Sequence, residues 1–173
     1  MAALTADIHP IRYGTPGNST QPTNQGLKAS STVYRGSIAI TRSGYVVPAT
    51  SVQSGDICWG LIDQAGPGTI DSGPGITGGT TDGIITVDIA TGSFWLAAGT
   101  GSDAIAQANV GATCYVMNET TVGLTSSGSS RPVAGIILAV AGTSAGNFQA
   151  VAPINSGMVA VHLGSAQSTG GPS

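Results

Sequence analysis

The chain has 173 residues, enough for one domain and short for two, with 5 Lys plus Arg, 8 Asp plus Glu and a formal charge of −3. Only 8% of residues are charged and 40% are hydrophobic, which excludes a polybasic nucleic-acid binder and a charge-rich disordered chain. The runs of Ala, Glu, Lys and Leu that build a long coiled coil are missing as well.

Residues 1–27 mix Pro10, Pro16 and Pro22 with Gly, Asn, Thr and Gln and show no periodicity. Such a segment buries little apolar surface by itself, yet it carries Leu4, Ile8, Ile11 and Tyr13 beside Arg12. This combination reads as an extended N-terminal arm that orders against a partner. The first twenty residues lack the basic start and apolar block of a secretory signal, and a soluble protein made in a cytoplasm is expected.

Val and Ile together number 28 against 7 Leu, and branching at Cβ suits a pleated surface better than a helix. Residues 33–41 alternate as a strand, with Val33, Arg35, Ser37, Ala39 and Thr41 on one face and Tyr34, Gly36, Ile38 and Ile40 on the other. Arg42-Ser43-Gly44 reads as the turn of a hairpin that returns through Tyr45, Val46 and Val47. Pro48 stops that strand or confines it to an edge. Further strands are expected over 58–62, 84–89 and 93–96, and over a hairpin of 113–118 with 122–125. Residues 133–140, 148–152 and 158–163 complete the set. Turn signals recur every ~8–12 residues, the spacing of a sandwich or barrel.

Residues 103–109 read as one short helix, capped by Ser102 or Asp103. Residues 66–83 read as a long flexible Gly/Pro/Thr loop, and 164–173 as a flexible C-terminal tail. The fold class expected is all-β, a small β-sandwich or barrel with its β domain over 28–163. The longest near-apolar stretch, 132–141, is about half of the ~20 residues a membrane helix needs, so no membrane partner is expected.

Cys58 and Cys114 each stand alone among apolar neighbours, which fits two buried thiols better than a disulfide. Gly142-Thr143-Ser144-Ala145-Gly146 matches the nucleophile-elbow string. That motif needs a helix next and an acid before the histidine, and neither follows before His162. Gly73-Pro74-Gly75-Ile76-Thr77-Gly78 has the spacing of a dinucleotide loop but leads toward a strand, so it reads as a surface loop. His9 and His162 are far apart, and His162 reads as a packing or hydrogen-bonding group at a strand end. Asp56, Asp63, Asp71, Asp82, Asp88 and Asp103 mostly adjoin Gly or Ser, where Asp caps turns. No catalytic residue, cofactor or metal site is therefore expected. Phe94 and Trp95 are adjacent in a strand and point to opposite faces, so one ring is expected at an oligomer interface.

The order of these segments resembles the head-decoration, or capsid cement, proteins of tailed bacteriophages. The matching run begins at Val33-Tyr34-Arg35-Gly36 and Gly44-Tyr45-Val46-Val47-Pro48-Ala49. It continues through Gly92-Ser93-Phe94-Trp95, Asp103-Ala104-Ile105 and Val110-Gly111. Its strongest part is Cys114-Tyr115-Val116-Met117-Asn118, then Thr121-Val122 and Arg131-Pro132-Val133-Ala134-Gly135. The resemblance spans roughly residues 30–140. Asn118 and Glu119 stand where its members usually carry acids, the 66–83 loop is longer, and residues 141–173 are additional.

This resemblance implies a non-enzymatic β-rich homotrimer on the outer capsid surface of the virion, partnered with the major capsid protein. The arm residues Leu4, Ile8, Ile11, Arg12 and Tyr13 are then the expected capsid contacts, with Phe94 and Trp95 at the oligomer interface. The alternatives are a head fibre or tail-tube protein, and a β-sandwich carbohydrate-binding module using Trp59, Trp95 or Tyr45 as a stacking platform. An esterase built on Ser144 is a distant third.

Overall fold

The computed structural model describes residues 11–12, 23–64, 75–141 and 157–163. The fold is all-β. The described residues hold thirteen strands: β1 (Ile11–Arg12), β2 (Thr23–Gly26), β3 (Thr32–Val33), β4 (Ile38–Arg42), β5 (Tyr45–Pro48), β6 (Ile57–Gln64), β7 (Ile76–Thr77), β8 (Thr86–Ala90), β9 (Gly92–Ala98), β10 (Thr113–Val116), β11 (Thr121–Gly123), β12 (Val133–Val140) and β13 (Met158–Leu163).

Strands β9, β11, β10, β12 and β13 pair in that order, and β13 returns to pair with β9, closing a small five-stranded barrel. All its pairings are antiparallel except β9 with β11. Strand β1 adds to β9, with Ile11 opposite Trp95 and Arg12 opposite Phe94. Register shifts at Cys114/Tyr115 and Ile137/Ala139 supply the local bends that so small a ring requires.

A second sheet has the order β2-β8-β6-β4-β5. A single parallel bridge between Leu27 and Val46 brings its two edges together. Strands β3 and β7 form a two-stranded sheet of their own.

Two cores result. The larger joins the barrel residues Phe94, Leu96, Cys114, Val116, Val122, Ile137, Val159, Val161 and Leu163 to Ile38, Ile40, Val47, Cys58 and Leu61 of the second sheet. The smaller lies on the other side of that sheet and contains Leu27, Val33, Ala39, Val46, Ile62, Val87 and Ile89. The second sheet is therefore buried on both faces, and Ile38, Ala39, Ile40 and Thr41 are all buried in succession. Strict alternation fails there because a strand between two cores has no solvent side.

The hairpin of β4 and β5 turns at Ser43 (φ 53°) and Gly44 (φ 85°), two successive left-handed residues that match the right-handed twist of the flanking strands. Pro48 ends β5 at the rim of its sheet, as expected.

Several expectations are corrected. Residues 33–41 are not one strand. Gly36 is left-handed (φ 79°), and the Ser37 hydroxyl donates to the Tyr34 carbonyl at 2.6 Å, so the chain turns between β3 and β4. Residues 103–109 form no α-helix. They make two 3-10 turns, Gly101–Asp103 and Gln107–Asn109, separated by extended Ala104. The burial of Asp103 and Ile105 holds that segment against the barrel. The 66–83 loop is in part ordered structure, because Ile76–Thr77 pairs with Thr32–Val33.

The boundary at residue 28 also moves. Strand β2 pairs with β8 over four residues, and Leu27 is 0% exposed, so residues 23–27 belong to the β domain. Polarity hides this strand in the sequence, since Thr23, Asn24 and Gln25 carry no apolar alternation. The expected strand at 148–152 and the tail at 164–173 lie outside the described residues.

Candidate functional site

Four of the six aspartates singled out by sequence, Asp56, Asp82, Asp88 and Asp103, tie separate segments together. Asp103 is 7% exposed and draws in two segments. Its Oδ1 accepts from the Thr125 amide (3.1 Å), the Thr125 hydroxyl (2.6 Å) and Arg131 Nη1 (2.8 Å). Arg131 Nη1 also donates to the Thr125 carbonyl at 3.1 Å. The Asp103 backbone carbonyl accepts from the Leu124 amide at 3.4 Å. One carboxylate thereby ties the turn after β9 to the connection between β11 and β12.

Asp56 is the equivalent staple of the second sheet. It accepts from Arg42 through Nε and Nη2, both at 2.8 Å, and from the Gln53 amide at 2.9 Å. Arg42 also reaches the Ser51 carbonyl at 2.9 Å, so the loop between β5 and β6 is fastened at both ends. Asp82 accepts from the Ala29 amide (2.8 Å) and from Lys28 Nζ (3.2 Å), and Asp88 accepts from Asn24 at 3.0 Å. Asn118 Oδ1 caps the β10–β11 turn, accepting from the Thr120 and Thr121 amides, both at 3.0 Å. These are structural tasks, as the turn-capping reading of the aspartates expects.

The Thr125 hydroxyl, followed by Arg131, holds the Asp103 carboxyl below its ordinary range. The Ala29 amide, followed by Lys28, does the same for Asp82. A folded-state value below the unfolded one means stability that is present above about pH 4 and lost as pH falls through the folded value. The unfolding midpoint should therefore stay level from pH 8 to 5 and fall below pH 4, with a shallower fall in Asp103→Asn. A variant with the wild-type acid profile would remove Asp103 from this account. Arg131→Ala strands a buried carboxylate and should cost about 2–4 kcal/mol at pH 7, measured by urea unfolding.

Cys58 and Cys114 are buried free thiols, as the sequence suggested. Burial pushes both up to about 12, so neither is a thiolate at neutral pH. A thiol reagent at pH 8 should label neither cysteine in the folded chain and both after denaturation. Rapid labelling of the native protein would contradict this placement.

His162 is exposed near the end of β13, with Nδ1 3.0 Å from the Ser93 hydroxyl, which meets the expectation of a strand-end hydrogen bond. Ser144, His9 and Asp71 lie outside the described residues, as do Leu4, Ile8 and Tyr13. Of the expected capsid contacts, Ile11 and Arg12 are placed, and their backbone is paired to β9 of their own chain. Among the described residues, no group of three His, Cys, Asp or Glu is arranged to hold a metal ion. Among the same residues, no helix is long and apolar enough to cross a membrane.

The aromatic residues separate by environment. Phe94 is 0% exposed within its own chain, so it cannot be the ring that meets a second copy. Half-buried Trp95 is left facing away from that core. Trp59 packs on the smaller core and donates Nε1 to the Thr41 hydroxyl at 2.9 Å. Tyr45 lies over Gly26 and Gly83. Trp95, Trp59 and Tyr45 are each half-buried.

Among the described residues, the large apolar side chains that are exposed are aliphatic. Ile84 is 66% exposed and adjoins Ile85 before β8, Ile57 opens β6, and Val110 and Ile136 are exposed as well. The Gly111 amide donates to the Ile137 carbonyl at 2.8 Å. Sequence reasoning missed the Asp103–Arg131 pair, since 28 positions separate two residues with no local signal. Comparison with protein-family models, curated proteins and solved structures gives no match.

Proposed function

We propose that the protein is a capsid decoration, or cement, protein of a tailed bacteriophage that seats on the outer surface of the expanded head and bridges neighbouring major capsid subunits. One observation carries this reading. The blocks of the resemblance between Gly92 and Gly135 serve a single packed unit. Asp103 binds Arg131, Cys114 lies opposite Gly135, Asn118 caps the intervening turn, and Phe94 fills the same core as Cys114 and Val116. An ordered set of short motifs carries more weight when its members hold one barrel together than when they lie apart.

Low charge and exposed aliphatic residues favour the same role. Each copy makes modest contacts, and repetition over the lattice turns them into stable attachment by avidity. In this reading the chain is a homotrimer with Trp95 toward a neighbouring copy. Leu4, Ile8, Ile11, Arg12 and Tyr13 supply the capsid contacts, and the role is structural rather than enzymatic.

The test is to mix the purified protein with expanded, undecorated heads and image them. Density at regular lattice positions, together with heads that withstand higher temperature before releasing DNA, is the expected result. Bare heads at saturating protein would overturn the proposal. Sedimentation should show one species near three times 16.9 kDa.

A further inference from the structure

We infer that the outward face of β10, β12 and β13, centred on Ile136, binds a second copy of this chain. The inference rests on the homo-oligomer of the proposed function and names the surface that holds its subunits together.

The strand pairings disclose an internal repeat. In chain order, β2, β4, β5, β6 and β8 correspond to β9, β10, β11, β12 and β13. Both sets pair in the same cyclic order, antiparallel throughout except for one parallel contact, Leu27 with Val46 in the first set and β9 with β11 in the second. The registers agree residue by residue. Ala39 lies opposite Gly60 and Leu61 opposite Ala90, as Cys114 lies opposite Gly135 and Ile136 opposite His162. The register shifts skip Trp59 and Asp63 in β6 and the equivalent Ala134 and Leu138 in β12. Left-handed Gly36 and Gly111 donate to the equivalent carbonyls of Ile62 and Ile137, at 2.7 and 2.8 Å.

The two repeats differ in what covers one face. In the N-terminal repeat, Ile38, Leu61 and Ala90 lie side by side across three strands and are buried in the larger core together with Ile40 and Cys58. That face is turned onto the C-terminal repeat. Strand β6 packs against β12 and β13, and the Ile38 amide donates to the Glu119 carbonyl of the β10–β11 turn at 2.7 Å. In the C-terminal repeat the equivalent row is Thr113, Ile136 and His162, with Tyr115 and Val133 in the places of Ile40 and Cys58. Here Ile136 is 37% exposed where Leu61 is 1% exposed, His162 is exposed, and the other three are half-buried.

The same face is therefore sealed in one repeat and open in the other. What seals it within the chain is a module of its own kind, so the occupant that fits the open face is the N-terminal repeat of a second copy. That repeat presents the equivalent seat, formed by β6, β8 and the β4–β5 turn, with exposed Ile84 and Ile85 immediately before β8. A contact between two different patches of one chain closes into a ring when repeated by rotation, which is the kind of contact a trimer requires.

The experiment compares the full-length chain with Ile136→Glu by sedimentation at micromolar concentration. The wild type should run near three times 16.9 kDa and the variant at the mass of one chain, with an unchanged circular dichroism spectrum. A variant that still sediments as a trimer overturns this surface and leaves the homotrimer standing. A wild-type chain that sediments as a monomer overturns both. Should Ile136→Glu fail to fold, photoactivatable benzoylphenylalanine at position 136 decides the matter in the assembled protein. Cross-links to the N-terminal repeat of another chain support the proposal. Cross-links confined to its own chain, or to the C-terminal repeat of another, overturn it.

Discussion

Gly135→Ala should destabilise the protein by about 3 kcal/mol or more, the largest loss expected from adding a single methyl group. Gly135 is buried in β12, between Cys114 of β10 and Leu163 of β13. A Cβ at that position would overlap the carbonyl oxygen of His162 and press on the Val161 side chain. Backbone cannot yield as the end of a flexible side chain can, so the β12–β13 register must open or the strand must shift. With about 2–4 °C lost per kcal/mol for a chain of this size, the melting temperature should fall by roughly 6–12 °C. Gly128→Ala is the control. Gly128 is left-handed (φ 68°) and a Cβ there would have no neighbour within 4 Å, so only the smaller backbone strain applies. Equal losses at the two sites would show that the crowding at Gly135 is relieved elsewhere.

Removing residues 1–27 should cripple the β domain. Strand β2 covers β8 from Thr86 to Ile89, and Leu27 is completely buried in the smaller core. The Leu27 amide donates to the Ile85 carbonyl at 2.8 Å, and its bridge to Val46 joins the two edges of the second sheet. Leu27→Ala alone should cost about 2–5 kcal/mol, the range for emptying a buried leucine site. Deletion through residue 27 removes that side chain and the strand together and should leave the sheet open at β8. Removal of residues 1–10 spares β1, β2 and Leu27 and should leave the melting temperature within about 2 °C of the full chain, less than a 1 kcal/mol loss would shift it. Under the proposed function, it should still weaken attachment to heads. If the 1–27 truncation melts like the full chain, the closure at Leu27 contributes nothing to the fold.

These two sites differ in how much of them the sequence discloses. Gly135 falls inside a strand whose limits, 133–140, are legible from its apolar run and turn signals. Strand β13 is legible in the same way, to the residue. Sequence shows that a glycine interrupts the strand, and only the pairing shows that the His162 carbonyl occupies the space beside it. Leu27 is a single apolar residue after a polar stretch, and no periodicity marks it as core. Its burial depends on Val46, Val87 and Ile89, which arrive from much later in the chain.

The excess of Val and Ile over Leu, the recurrent turns and the low charge determined by themselves that this protein is all-β. They also placed most of its strands, because side-chain shape and turn chemistry act over a few residues. Tertiary structure alone decided that five strands close into a barrel and that the second sheet is buried on both faces. It also decided that Asp103 finds Arg131, that Phe94 turns inward, and that β1 lies on β9. Each of these depends on pairing across tens of residues. The free energy of such a contact comes from the partner brought to it, which no short stretch of sequence records.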